Sequence, residues 1–375
     1  MSGEPLRIWL EPGYDGGRVA AWMLDIPGAL ATASTAERAL SNGLSAAGRL
    51  REWLEERGDD AGLPPFRWAN VVEEIPSVVQ PGGRELKATF GVERRVVGAV
   101  EFDAILRRLE WARLDLLGTA ARVAAWSSVH GELPGTDADR DARHPETVLR
   151  HLAAAEVRLA TRLDATAAYP GSLGAEPLES ELATTRAWAF ELLRALHASV
   201  GAAEVPDERG ETWTLAKVLR RMSCHAFDHL WELDRRLSRV DGTAERVTVV
   251  LGRLPDIEAL VRLLRAAGWD INVETPQDLA DAIVATTELA TAWDGERLVG
   301  IARSLTDGSR NAFISTVVVH PRWQSLGVGE RLMATLMDGR PNVRFALSAA
   351  SGMDAWYRKL GFEADPHAMV RRRAR

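Results

Sequence analysis

Residues 317–333 read VVVHPRWQSLGVGERLM: a strand runs into a break, then a glycine loop, then a helix. The apolar run FISTVVV (313–319) ends at His320-Pro321. Proline offers no ladder hydrogen bond there and pushes the residue before it into an extended conformation, so the strand stops. Gln324, Gly327 and Gly329 then form Q-x-x-G-x-G, and the composition from Glu330 is helical. A loop that bares backbone N–H groups at a helix N-terminus suits a diphosphate, because the amides donate and the helix dipole favours negative charge. Two other glycine-loop readings fail. No Gly-Lys-Ser/Thr is present, as a Walker loop requires, and no βαβ unit with an acidic ribose ligand follows.

LVGIARSLTDG (298–308) precedes this stretch and WYRKLGF (356–362) follows it. In this order and spacing, residues 247–375 resemble a GNAT-family N-acetyltransferase. The resemblance implies a mixed α/β fold, acetyl-CoA as donor, and direct attack of an amine on the thioester. It implies main-chain contacts from Val317 and Val319 to the pantetheine arm, on a strand that splays from its neighbour. It also implies that Gln324, Ser325, Gly327, Val328, Gly329 and Glu330 wrap the pyrophosphate, and that Tyr357 is the general acid near the sulfur. Such a transfer needs a deprotonated amine, a polarised carbonyl and a proton for the departing thiolate. FISTVVV has no carboxylate where many relatives carry one, so the base is left open between Ser315 and a chain of waters. The plain alternative for Tyr357 is a core tyrosine packing the last helix.

Upstream, the texture between 101 and 240 is helical. Four segments of about 20 residues or more repeat apolar positions at three and four, which is the pattern of a four-helix bundle. His225 and His229 stand four apart on one face of the last segment, a spacing that lets two imidazoles approach one ion. His151 lies near the start of the second segment. This arrangement resembles the DinB-like superfamily over residues 99–240, which includes thiol-dependent transferases and isomerases. The resemblance implies a three-histidine site, His151, His225 and His229, for Zn, Ni or a similar divalent ion with open positions for water or a thiol. Glu232 and Asp228 are possible partners behind the ligands, although surface charge is the simpler reading of both. Cys224 points about 100° away from His225 on an ideal helix and reads as a small buried residue. His144 and His197 read as surface or capping residues, and Trp111, Trp188, Trp213 and Trp231 as core or pocket wall.

At the start of the chain, LRIWLEP and RVAAWML flank GYDGG, the pattern of two strands joined by a hairpin. Ser34 or Thr35 can then cap a helix running to Gly58. With DIPGALATASTAERAL (25–40), this order resembles the HicB-like domain of bacterial antitoxins, which implies a small α/β module that binds a protein partner. It carries no catalytic constellation. Residues 60–98 read as a β-rich extension. After a linker near Asp241, a strand, helices over 254–268 and 275–286, and two strands with Asp-Gly turns lead into the opening stretch.

The whole is therefore a multidomain α+β chain: a HicB-like α/β module over 1–98, an all-α bundle over 99–240, and a mixed α/β GNAT fold over 247–375. Its 375 residues exceed what one core usually supports. With 46% apolar and 26% charged residues the chain folds. A net charge of -7 argues against nucleic acid as a partner. One cysteine allows no internal disulfide and no thiolate-rich metal site, so any metal must rely on histidine and carboxylate. The first residues lack a basic stretch followed by an apolar core, and no segment approaches the ~20 apolar residues of a membrane span, which makes the cytoplasm the default. RRRAR at 371–375 reads as a solvated tail. The leading expectation is acetyl transfer to a small-molecule or peptide amine. The alternatives are a bundle acting as a metal- and thiol-dependent transferase or hydrolase, and an antitoxin-like regulatory binding protein.

Overall fold

The computed structural model describes residues 5–59, 69–131, 144–269, 278, 281–283, 285–350 and 352–371. Strand β1 (Leu6–Gly13) leaves through the left-handed Gly13 and returns as β2 (Arg18–Trp22), with Trp9 opposite Trp22. β3 (Leu30–Ala33) pairs antiparallel with β2, and β4 (Ala69–Glu74) pairs parallel with β1, giving the order β3-β2-β1-β4. Helix α1 (Ala36–Glu55) is capped by Thr35, whose Oγ1 accepts the Arg38 N–H at 3.3 Å. Its buried residues Ala39, Gly43, Ala47, Leu50 and Leu54 recur at three and four and turn to the sheet.

Four long helices follow: α2 (Ala99–His130), α3 (Pro145–Ala160), α4 (Leu178–Ser199) and α5 (Leu215–Ser238). Ion pairs fix their directions. Arg150 reaches Glu181 at 2.6 Å and Glu156 meets Arg186 at 3.0 Å, so α3 and α4 climb together. His151 faces His225, whereas Arg162, just past α3, covers the Trp213 ring just before α5. α5 therefore runs antiparallel to α3. One apolar cluster passes without a break from Leu6, Ile8 and Leu10 of the first sheet to Leu116, Leu152, Phe227 and Leu230 of the helices. The contact is close: a Cβ on Gly28 would stand 2.6 Å from the Phe227 ring.

The last sheet has five strands: β5 (Val247–Leu251), β6 (Glu288–Asp294), β7 (Arg297–Thr306), β8 (Asn311–Val319) and β9 (Arg344–Leu347), in the order β9-β8-β7-β6-β5. All neighbours are antiparallel except β8 and β9. Helix α6 (Ile257–Ala266) covers one face and α7 (Val328–Met337) the other, so β6 and β7 are apolar on both sides rather than alternating. Helix α8 (Asp354–Lys359) follows β9. The second helix expected over 275–286 lies largely outside the described residues.

This sheet docks on the first unit through glycine. Gly48 of α1 lies against the end of α6, where any Cβ would collide with the Arg265 and Ala266 carbonyls, and Ser45 Oγ donates to Ala267 O at 3.0 Å. Gly48→Leu is expected to wedge α1 from α6 and to cost about 1–3 kcal/mol, read as a lower urea midpoint. Gly118→Ala, where a Cβ meets nothing on exposed α2, is expected to gain about 0.5–1 kcal/mol instead.

Candidate functional site

β8 is bonded to β7 along its length, with Ala312 opposite Thr306 and Val319 opposite Gly300. It is bonded to β9 only over Asn311–Ile314. Beyond Ile314 the two parallel strands part. The His320 amide donates to Val299 O at 2.9 Å, so by the alternation of an antiparallel ladder the peptide groups of Val317 and Val319 face the opposite, opened side. There the Val319 carbonyl accepts Gln324 Nε2 at 2.9 Å.

Past the strand, Pro321–Trp323 make one tight turn, Ser325 and Gly327 adopt φ of 61° and 75°, and α7 begins at Val328. A Cβ on Gly327 meets nothing, so that glycine is required by its left-handed backbone and leaves open space before the helix. A Cβ on Gly329 would stand 3.0 Å from Trp356, whose indole N–H donates to Glu330 Oε1 at 2.6 Å. Val317, Val319, Gln324, Ser325, Gly327, Val328, Gly329 and Glu330 are thus brought to one place, with Trp356 as a wall that the sequence reading did not name. Tyr357 is not among them. It lines a cavity of about 800 Å³ with Phe345 and Leu347 of β9, Phe362 and Asp365, where burial raises the pKa of its phenol. Ser315 is the extra residue of a bulge opposite Arg303 and Ser304. Its hydroxyl, the Ser304 hydroxyl and Arg303 Nε are all buried without a hydrogen-bond partner among the described residues.

The root of the loop is held from outside its own sheet. His320 Nδ1 accepts the Arg322 N–H at 3.1 Å, which leaves Nε2 to donate to Glu52 Oε2 of α1 at 2.6 Å. Burial lowers the pKa of His320. Burial also works to raise the Glu52 carboxyl, yet the His320 hydrogen bond and the Arg297 charge hold it below its ordinary value. Beside them Arg49 of α1 donates to Asp234 of α5 at 3.1 Å, and Arg322 lies 3.6 Å from the same carboxylate.

The second cluster lies between α3 and α5. His151 Nε2 is 3.0 Å from His225 Nε2, which is 3.2 Å from His229 Nε2, and the ligand nitrogens of all three fall within 4.8 Å of one another. His229 Nδ1 donates to Glu232 Oε2 at 2.8 Å, so its Nε2 carries a lone pair. Both short contacts fall on the same His225 nitrogen, which as a single donor or a single acceptor can satisfy only one of its two neighbours well. A cation shared by these nitrogens would satisfy both contacts. With metal–nitrogen bonds of about 2.0–2.1 Å, donors at a tetrahedral angle stand about 3.4 Å apart and donors at 90° about 3.0 Å. The 3.0 and 3.2 Å spacings match the second, while His151 and His229 are held only within 4.8 Å of each other. Glu232, for which a surface role is the simpler sequence reading, instead fixes the His229 tautomer and is steadied by Arg236 at 3.6 Å. Asp228 faces away, into a cavity shared with Gln324 and Ser325. His144 caps α3 and His197 bonds to the Val97 carbonyl.

Comparison with known proteins places the glycine loop in context. A family model described as acetyltransferase (GNAT) domain matches residues 262–373. An uncharacterized N-acetyltransferase, ycf52, of Gracilaria tenuistipitata var. liui is 37% identical over 133 residues, 33% of this chain and 71% of the relative. The chain belongs to the GNAT acetyltransferase family. Other members are similar over shorter parts of their length. The soybean (Glycine max) histone acetyltransferase TAP1 is 33% identical over 142 residues, 34% of this chain and 61% of the relative. The rice (Oryza sativa subsp. japonica) serotonin N-acetyltransferase 2 is 43% identical over 77 residues, 20% of this chain and 38% of the relative.

Cys224 sits next to His225 but is buried, and burial pushes its thiol up to about 11. The native chain is expected to react with iodoacetamide at pH 8 about a hundredfold more slowly than the unfolded chain, because the thiolate is the nucleophile. Equal rates would contradict this placement.

Proposed function

We propose that the chain transfers the acetyl group of acetyl-CoA to an amine on a small molecule or peptide. The observation that carries this is the opened side of β8, with the Val317 and Val319 peptide groups turned to it, next to a left-handed glycine turn at the start of α7. Val317 and Val319 pair with the pantetheine amides, and the amides from Ser325 to Glu330 hold the diphosphate. The amine nitrogen bonds to the thioester carbon and the C–S bond breaks. The nitrogen gives up its proton and the thiolate takes one. The acid expected at Tyr357 from WYRKLGF is not carried over, because its phenol lines the separate cavity beside Phe345 and Leu347, and water entering the gap supplies the thiolate's proton. Ser315, buried and unpartnered at the bulge, is the group the strand itself offers for relaying the amine's proton. The names of the soybean and rice relatives support an acceptor on a protein or a small molecule.

Gly327→Val and Gly329→Leu test this reading. Each is expected to raise the Kd for acetyl-CoA by calorimetry about tenfold or more while the circular dichroism spectrum is unchanged. Unchanged affinity in both would overturn it. Ser315→Ala is expected to leave that Kd within about twofold and to lower kcat/KM for the amine about tenfold, read by CoA release.

A second function is favoured by the converging histidines. The bundle, which resembles DinB-like proteins in sequence, is proposed to hold a divalent ion such as Zn or Ni on His151, His225 and His229. When bound, the ion supplies Lewis acidity toward a water or thiol at an open position. Glu232 orients His229, and the 1–98 unit is proposed as a HicB-like docking module for a small protein. Domain limits of 1–98, 99–240 and 247–375 follow from this reading. Protein purified without chelators is expected to carry about one ion per chain by elemental analysis, and His225→Ala less than about a tenth of that. A metal content indifferent to His225 would remove this function and leave the acetyl transfer standing.

A further inference from the structure

We propose that Arg303 binds a carboxylate carried by the acceptor, so that the amine acetylated by this chain bears a negative charge near its nitrogen. The inference rests on the reading of acetyl-CoA along β8 and names the class of its acceptor.

Strand register places Arg303. On β7 it stands between Leu289 of β6 and Thr316 of β8, and Thr316 lies between Val317 and the bulged Ser315. Side chains alternate between the two faces of a sheet. Ala302 and Val317 pack into the apolar cluster under α7, whereas Leu289, Ile301 and Val318 pack into the one under α6. Arg303, across from Leu289 and two residues after Ile301, is therefore on the α6 face. So is Thr316, two residues before Val318.

The donor's arm runs back along β8 from the glycine loop, past Val319 and Val317. Thr316 is three residues, about 10 Å of strand, from Val319, so the thioester end arrives beside it. The diphosphate is held at the start of α7, on that helix's side of the sheet, which leaves the α6 side for the amine to approach the carbonyl. Arg303 lines that approach.

Its charge is unanswered. Among the described residues no carboxylate pairs with Arg303, and its Nε is shielded from water without a hydrogen-bond partner. Arg297, Arg340 and Arg344 of the same unit, by contrast, each meet a carboxylate at 2.6 Å. Arg303 as a whole is only half-buried, so an incoming group can reach it. A covered guanidinium donor with no acceptor is costly. The donor substrate cannot supply the acceptor atom, because acetyl-CoA carries its negative charge on phosphates at the far end of the arm and none at the thioester. The amine substrate can. A carboxylate takes two parallel hydrogen bonds from a guanidinium, which gives Nε its acceptor and the charge its counterpart, and holds the nitrogen in place for attack.

The test measures kcat/KM by CoA release for the full chain with 3-aminopropanoate, 4-aminobutanoate and 5-aminopentanoate, each against its own primary amide. In the pair of best length the acid is expected to be preferred about tenfold. Arg303→Met, which keeps an apolar stem beside Leu289, and Arg303→Gln are both expected to bring that ratio to about one, with the loss falling on KM for the acid rather than on kcat. Arg303→Lys is expected to restore part of it. The Kd for acetyl-CoA by calorimetry is expected to stay within about twofold in all three variants, which reports an intact fold and donor site. A ratio of one in every pair, a preference that survives Arg303→Met and Arg303→Gln, or acids left unacetylated by a chain that binds acetyl-CoA overturns the carboxylate site alone. No binding of acetyl-CoA by the native chain overturns it together with the acetyl-transfer reading.

Discussion

The parting of β8 from β9 after Ile314 is the constraint on which the functional reading depends. Backbone N–H and C=O groups in a sheet are obliged to find partners, and an edge left open inside a fold is either capped or used. Here one carbonyl is capped by Gln324, and the neighbouring peptide groups face the gap. The break at His320-Pro321 and the left-handed turns at Ser325 and Gly327 then put a helix N-terminus at the mouth of that gap. A thioester with a long amide-bearing arm and a diphosphate at its far end matches this sequence of donors along the chain.

The loop is not a free-standing part. Its first residues are tied to α1 through Glu52 and to α5 through Asp234, and α1 itself lies on α6 at Gly48 without room for a side chain. The same helix α5 carries His225 and His229 a turn or more before Asp234. Two chemically separate sites therefore share one rigid element, and the apolar cluster running from the first sheet into the bundle keeps that element fixed. What joins the sites is packing and charge at the base of each.

Much of this was legible in the residues. Proline after a valine run, paired glycines and a helical continuation encode their own local geometry, so the loop could be read directly. The three histidines could be gathered because helical spacing fixes which face each occupies, although His151 and His225 are 74 residues apart. Other features were out of reach. Glu232 and Asp228 were alike candidates behind the ligands, with surface charge the simpler reading of both, and only the packing of α5 shows that Glu232 bonds to His229 while Asp228 faces another cavity. Trp356 and Tyr357 are adjacent aromatics in one motif, and only the packing of α8 shows that Trp356 stands against Gly329 and Glu330 while Tyr357 turns to another cavity. Apolar periodicity tells which face is buried but not against what, so the continuity of the first sheet with the bundle was invisible. The Glu52–His320 bond spans 268 residues and has no local signature.

The most direct measurement of the central claim is amide hydrogen exchange of the full chain with and without acetyl-CoA, resolved to peptides across 313–331. Slowed exchange at Val317, Val319 and the amides from Ser325 to Glu330, with β5 and β6 unaffected, is the predicted result. Unchanged exchange over that stretch at saturating acetyl-CoA, or protection confined to another part of the chain, would contradict it.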